Sequence, residues 1–220
     1  MFIFVKNNSS GMNIIEKLQW RYATKKFDNE ATISKEKLTI LKEAFNLTAT
    51  SYGLQPVKLV IIKNKDLQEQ LVVHSMNQRQ VAQASHVLVF CIETNIDTAY
   101  IESYFDRIKT IRKTPDEVLS PFKNFLIEDF KGKSEIEVKN WAVKQAYLAM
   151  GNLLTVCALE DIDACPMEGF SPKSYDEVLQ LESKGLQSVL VMPIGHRAKD
   201  DVFAGFKKVR KDMNEIVFEL

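Results

Sequence analysis

The sequence carries no net charge, with 29 Lys and Arg against 29 Asp and Glu in 220 residues. No global field draws such a chain to nucleic acid or to an anionic membrane, so any anion it binds must be held by a local cluster. Cysteine is scarce, and the three present, Cys91, Cys157 and Cys165, show no C-x-x-C spacing. This excludes a disulfide framework or a thiolate zinc site as the organising feature; reduced thiols in a cytosol are expected. The three histidines, His74, His86 and His196, are not spaced as metal ligands. G-x-G-x-x-G, P-loop and nucleophile-elbow patterns are all missing, which removes the main support for dinucleotide, nucleoside-triphosphate or hydrolytic readings. Long hydrophobic runs are missing too. Phe2 to Val5 is too short for a signal-peptide core, and no later run reaches a membrane-spanning length, so a soluble, cytoplasmic protein is expected.

What is present is a sizeable core: 45% of the residues are hydrophobic, enough for one domain of this length to fold without staples. Residues 1–11 read as a loosely ordered extension and 12–220 as the folded domain, its first helix beginning at Met12. Ile33 and Leu38 bracket Ser34 as a staple around an N-cap, which predicts a helix over 35–47. "VKLVII" (57–62), "HVLVFCIE" (86–93) and "QSVLVMPIGH" (187–196) read as strands, the last two central, and "NEIVFEL" (214–220) alternates like a final strand. Asp66 with Glu69 opens a short helix between the first two strands. Thr114, Pro115 and Glu117 predict a helix start, and Pro121 is expected to kink or interrupt that helix. Ser134 with Glu137 starts the longest helix, 135–160, whose apolar residues cover most of its circumference, so burial on nearly all sides is expected. Gly151 inside it suggests close approach of a backbone or a flat ligand. Strands separated by long helices give a mixed α/β (α+β) layered fold.

Four segments carry candidate chemistry. "RYATKKF" (21–27) places Arg21, Lys25 and Lys26 close together, and "KKVRK" (207–211) forms a second cation cluster near the other end. Each alone is accounted for by a solvated charged face, but two in a neutral protein suggest one shared anion, most plausibly a phosphate. "TSYGLQP" (50–56) is a loop into the first strand, with the residue before Pro56 held extended, and Thr50, Ser51 and Gln55 offer neutral hydrogen bonds; Asn77 offers an amide. "CPMEGF" (165–170) pairs Pro166, which removes a backbone donor, with Gly169, which allows neighbouring N–H groups to face a ligand; a plain surface turn is the alternative. Phe122, Phe125 and Phe130 are open to two roles, core packing or roofing an acceptor slot.

Taken together and in this order, these motifs, with "NQRQ" ahead of "ASHVLVF", "AVKQAYLAMGNLL", "VMPIGH" and "KKVR", resemble the nitroreductase family of FMN-dependent oxidoreductases. The resemblance runs from about Met12 to the C-terminus. It implies a three-layer fold with a mostly antiparallel central sheet flanked by helices, in an intertwined homodimer with FMN at the subunit interface. It implies that Arg21, Lys208 and Arg210 bind the FMN phosphate and that Lys25 stabilises charge at the flavin pyrimidine edge, where Asn77 also bonds. Ser51 would reach the flavin from the partner chain, with Tyr22, Ala23, Thr50 and Gly53 lining the same site. Pro166, Met167, Glu168 and Gly169 would pass over the dimethylbenzene and N5 side, the backbone N–H near Glu168 contacting N5. Ala23 stands where many members carry serine, Gly53 where some have asparagine, and Gln80 where relatives can have lysine. The implied activity moves hydride from NADH or NADPH to FMN and on to a nitroaromatic, quinone, pteridine or flavin by a ping-pong cycle; a flavin-storage protein with little turnover is the alternative. No metal, nucleic-acid or membrane partner is implied.

Overall fold

The structure, a computed structural model, describes residues 13–220; the expected extension over 1–11 and the expected helix start at Met12 lie outside the described residues. The first described helix, α1 (Ile14–Trp20), begins where Asn13 Oδ1 accepts from the backbone N–H of Ile15 at 3.0 Å. Helix α2 (Lys35–Asn46) follows the expected Ser34 cap, whose hydroxyl accepts from Lys37 N. Strand β1 (Val57–Ile62), helices α3 (Lys65–Val72) and α4 (Gln80–Gln83), and strand β2 (His86–Glu93) come next. Helices α5 (Thr98–Arg112), α6 (Asp116–Lys131) and α7 (Glu135–Leu159) lead to the short strand β3 (Asp163–Ala164), helix α8 (Pro172–Val178), strand β4 (Leu186–Gly195) and a last turn of helix, α9 (Met213–Ile216).

The four strands form one antiparallel sheet in the order β1-β2-β4-β3. Strand β2 is apolar on both faces because both are covered. Leu88, Phe90 and Ile92 point into a core with Leu153, Ala146 and Leu126, whereas Val87, Val89 and Cys91 point into a second core with Leu71, Val81 and Tyr175. Period-two alternation thus feeds two helix layers, and the expected three-layer α+β arrangement results.

Several local expectations are corrected. The cap of α3 is Asn64, which accepts from Leu67 N at 2.8 Å, rather than Asp66. At α6 the N-cap is Pro115, with no side-chain capping bond, and Pro121 lies within a continuous helix. Pro121 is exposed, so water can serve the carbonyl it leaves unbonded, while Leu126, Ile127 and Phe130 bury the opposite face. The α5 helix had no counterpart in the sequence reading; its signal is Asp97, whose carboxylate accepts from Tyr100 N at 2.9 Å. Residues 214–220 form no strand within the chain, and every residue from Val202 onward is exposed.

Helix α7 has the expected capping box of Ser134 and Glu137. By length and composition it is apolar enough to cross a membrane, contrary to the expectation that no segment would be, yet Ala142, Ala146, Ala149 and Leu153 pack it against the sheet. Nor is it buried on all sides: Lys144, Tyr147, Leu148 and Gly151 form an open face, and a Cβ on Gly151 would meet nothing within 4 Å. Gly151 therefore has no close neighbour in the single chain.

Candidate functional site

The loop after α1 is sewn onto the sheet edge. Ala23 bridges Ala164 of β3, with Thr24 N donating to Ala164 O at 3.3 Å, and Phe27 bridges Arg197 beyond β4. Ala23 is thus a backbone partner of β3. This loop forms one wall of a cleft of about 420 Å³, and the segment after β4 forms the other. Arg21 and Lys25 thereby share a cleft with Lys208 and Arg210, although some 187 residues separate Arg21 from Lys208. The Lys208 ammonium donates to the Arg21 carbonyl. Burial and the proximity of Arg210 lower the pKa of Arg21, and burial with both arginines lowers that of Lys208. None of Arg21, Lys25, Lys208 and Arg210 forms an ion pair among the described residues, whereas Lys26 pairs with Asp200. Cations that repel one another across a partly buried cleft without a carboxylate fit a bound anion.

Two acidic residues that the sequence reading missed hold this arrangement. Asp201, 6% exposed, accepts from the Tyr22 hydroxyl at 2.8 Å, from Lys25 N at 3.0 Å and from Lys26 N at 3.1 Å through one oxygen, and from Phe203 N through the other. Burial alone would raise its pKa, but these donors outweigh it and the net shift is downward. Tyr22, raised by burial and by its bond to Asp201, turns its hydroxyl to that carboxylate. Asp163, also buried, accepts from Arg197 N at 2.8 Å and Arg197 Nε at 2.7 Å. The Arg197 guanidinium lies over the rings of Trp20 at 4.2 Å and Tyr22 at 4.6 Å. The only local signal for Asp201 is the turn it opens, with its side chain bonded two residues on.

Segment 165–170 runs beside this loop. Cys165 N donates to Pro193 O at 3.0 Å, and Met167 exchanges two backbone bonds with Val191, which seats Pro166 and Met167 against β4. The N–H groups of Glu168 and Gly169 donate to no protein acceptor among the described residues. Gly169 O accepts from Gln78 Nε2 at 3.0 Å, which brings residues 76–78 to the segment; Asn77 beside it is exposed, with φ +58°. The Tyr147 hydroxyl on α7 donates to Glu168 Oε1 at 2.8 Å.

Thr50, Ser51 and Gly53 lie elsewhere. They lead into β1 beside a separate cleft of about 600 Å³, which Thr50 and Gly53 line with Tyr104. Ser51 N donates to Gln145 Oε1 at 2.9 Å, and Thr50 Oγ1 accepts from Gln55 N. A Cβ on Gly53, at φ +75°, would overlap the Tyr104 hydroxyl. Gln55 is not extended before Pro56: its φ is +48°, and its amide donates to Asn46 O. Tyr52, at φ +59°, stacks with Trp141 and packs against Phe122 and Phe130. Of the three phenylalanines, Phe130 is core and Phe122 and Phe125 are exposed. A single chain therefore does not join residues 50–53 to the cation cleft.

Residues 18–196 match the profile of the Nitroreductase family. The chain belongs to the nitroreductase family. It is 30% identical over 215 residues to the major NAD(P)H-flavin oxidoreductase of Aliivibrio fischeri, covering 93% of this chain and 97% of that one. It is 29% identical over 217 residues to the oxygen-insensitive NAD(P)H nitroreductase of Salmonella typhimurium, covering 95% and 100%. Among solved structures, one from Exiguobacterium sibiricum described as a nitroreductase in complex with FMN superposes with a TM-score of 0.80 at 21% identity, covering 96% of this chain and 99% of that one. For this nitroreductase family chain the matched stretch ends at His196, so Lys208 and Arg210, which complete the cation cleft, and Asp201, which fastens its loop from behind, lie beyond it.

No group of His, Cys, Asp and Glu among the described residues is arranged to hold a metal ion. The three cysteines are buried and unpaired, and burial pushes Cys91 and Cys157 up to about 12.

Proposed function

We propose that this nitroreductase family member is an NAD(P)H-dependent FMN oxidoreductase that works as a homodimer in the cytoplasm. The observation that carries the reading is the cleft in which Arg21, Lys208 and Arg210 meet and whose lining, among the described residues, includes no carboxylate. Those three cations would hold the FMN phosphate, the arginines by two-pronged bonds. Bound FMN would supply the redox chemistry, carrying a hydride from NADH or NADPH to a nitroaromatic, quinone, pteridine or flavin acceptor in two half-reactions.

The chain's own residues bind, orient and stabilise. Lys25, exposed and without an ion-pair partner among the described residues, supplies positive charge for the pyrimidine edge, and Asn77 supplies a neutral amide. The backbone N–H groups of Glu168 and Gly169 offer donors whose presence does not depend on side-chain identity. Ala23 brings no hydroxyl to the phosphate, which leaves that end to cations. Hydride arrival requires no side-chain acid, so positioning is the main contribution of the protein.

Three features support the homodimer. The outer face of α7 exposes Tyr147 and Leu148, the C-terminal segment exposes Phe206, Val209, Ile216 and Phe218, and β1 is an edge strand. Thr50, Ser51 and Gly53 would then serve the FMN of the partner chain, and exposed Phe122 and Phe125 would border its acceptor slot. Anaerobic titration of the FMN-loaded protein with NADH and NADPH tests the reading. Bleaching near 450 nm, followed by reoxidation with a panel of acceptors, is expected; a yellow protein that neither nicotinamide bleaches would be a flavin carrier instead.

A further inference from the structure

The peptide groups of residues 167–170 are aimed by bonds on their carbonyl sides. Met167 O accepts from Val191 N at 3.1 Å, and Glu168 O accepts from Phe170 N at 2.9 Å. In a trans peptide the N–H points opposite the carbonyl of the same unit. The N–H of Glu168 therefore faces away from β4, and the N–H of Gly169 faces away from Phe170. Both remain free.

The turn that sets this geometry is a weak one. Its own bond, from Phe170 N to Glu168 O, closes over only three residues. Its support comes from Gln78, whose Nε2 donates to Gly169 O at 3.0 Å while its Oε1 accepts from Gln80 Nε2, also at 3.0 Å. Gln80 is 6% exposed, and its amide nitrogen lies 3.9 Å from Cys165 Sγ. Two linked amides thus bridge the segment from Cys165 to Gly169. A Cβ at Gly169 would sit 3.1 Å from Gln78 Nε2 and 3.2 Å from Met76 Sδ, so the absence of a side chain there is what allows the Gln78 amide to come so near. From the α7 side, Tyr147 holds the Glu168 carboxylate.

We propose that Gln78, backed by Gln80, is a positioning residue for the flavin: by fastening the Gly169 carbonyl it holds the Phe170 N–H on Glu168 O, which fixes the direction of the free Gly169 N–H, and so sets the balance between oxidised and reduced FMN. The inference rests on the FMN reading above. Gln78 acts through the loop rather than by touching the cofactor.

Two measurements on Gln78→Met, close in size but without a donor, test it. In the FMN-loaded protein the ratio of affinities for oxidised and reduced cofactor changes about tenfold, which is about 30 mV for a two-electron couple. In the cofactor-free protein the Phe170 amide exchanges hydrogen about tenfold faster as the turn opens more often. Gln80→Met, one link further back, moves both readouts in the same direction by less. A parental potential together with parental Phe170 exchange in Gln78→Met overturns the proposal. Should that variant fail to fold, Gln80→Met decides by the same pair of readouts. A parent protein that takes up no FMN overturns the flavin reading instead, and Phe170 exchange then judges the amide bridge by itself.

Discussion

The Tyr22 hydroxyl donates to Asp201 Oδ2 at 2.8 Å, and that oxygen also takes the backbone N–H groups of Lys25 and Lys26. One buried carboxylate thus fastens the loop at one end of the sequence to the turn at the other, beside cations that would otherwise push apart. Asp201→Asn leaves one oxygen to serve these donors and replaces charged bonds with neutral ones. Given about 1.5–3 kcal/mol for hydrogen bonds to charged groups against about 1 kcal/mol for neutral ones, FMN affinity should fall roughly tenfold. Fluorescence titration measures this, and a parental Kd would show that Asp201 is dispensable.

Arg210→Ala should cost about 2 kcal/mol of cofactor affinity, roughly thirtyfold, through loss of one two-pronged phosphate contact. Because Arg210 also repels Arg21 in the cofactor-free cleft, the same change should not lower the apo melting temperature. FMN retained through dialysis as in the parent would remove Arg210 from the phosphate site.

Lys25→Ala should slow flavin reduction more than it weakens FMN binding, since charge at the pyrimidine edge matters most as the ring becomes electron-rich. Stopped-flow traces at 450 nm identical to those of the parent would exclude Lys25 from that role.

His86 is buried with its Nδ1 2.9 Å from Ser85 Oγ, and burial, then the nearby Lys63, Lys65 and Lys42, lower its pKa. In the unfolded chain it would titrate near about 6.5. Below that pH the unfolded state takes a proton that the folded state resists, so stability should decline as pH drops through about 6.5 and level off below the folded value. His86→Gln should flatten this part of a melting-temperature profile; a decline of the same size in the variant would assign it to other groups.

Removing residues 212–220 deletes Met213, Ile216, Val217, Phe218 and Leu220, all exposed in the single chain. If they cover a second subunit, the truncated protein should sediment with a weaker dimer than the parent. Unchanged association would locate the interface elsewhere.

Much of the fold was legible in the residues because its signals are local. Ser34 and Ser134 announce their helices through capping chemistry, and the doubly apolar β2 announces a sheet covered on both faces. The missed features depend on distant partners. Asp201 and Asp163 look like ordinary acidic residues until Tyr22 and Arg197 arrive from other parts of the chain. Residues 214–220 alternate like a strand, but Asp212 and Glu215 form a capping box that starts a turn of helix over Met213–Ile216. Gln55 adopts φ +48° before Pro56 despite the extended preference of that position, because bonds to Thr50 and Asn46 hold it. The cation clusters were legible as clusters, and their meeting in one cleft is a matter of topology.

The stacking of Arg197 on Trp20 has a practical side. Of the two tryptophans, Trp20 lines the cation cleft against a guanidinium, and Trp141 sits under Tyr52 in the aromatic cluster. Each indole is therefore a native optical probe of one region. Emission from a Trp141→Phe protein would follow the seating of the cation loop, and emission from a Trp20→Phe protein would follow the aromatic cluster, with no dye attached to either.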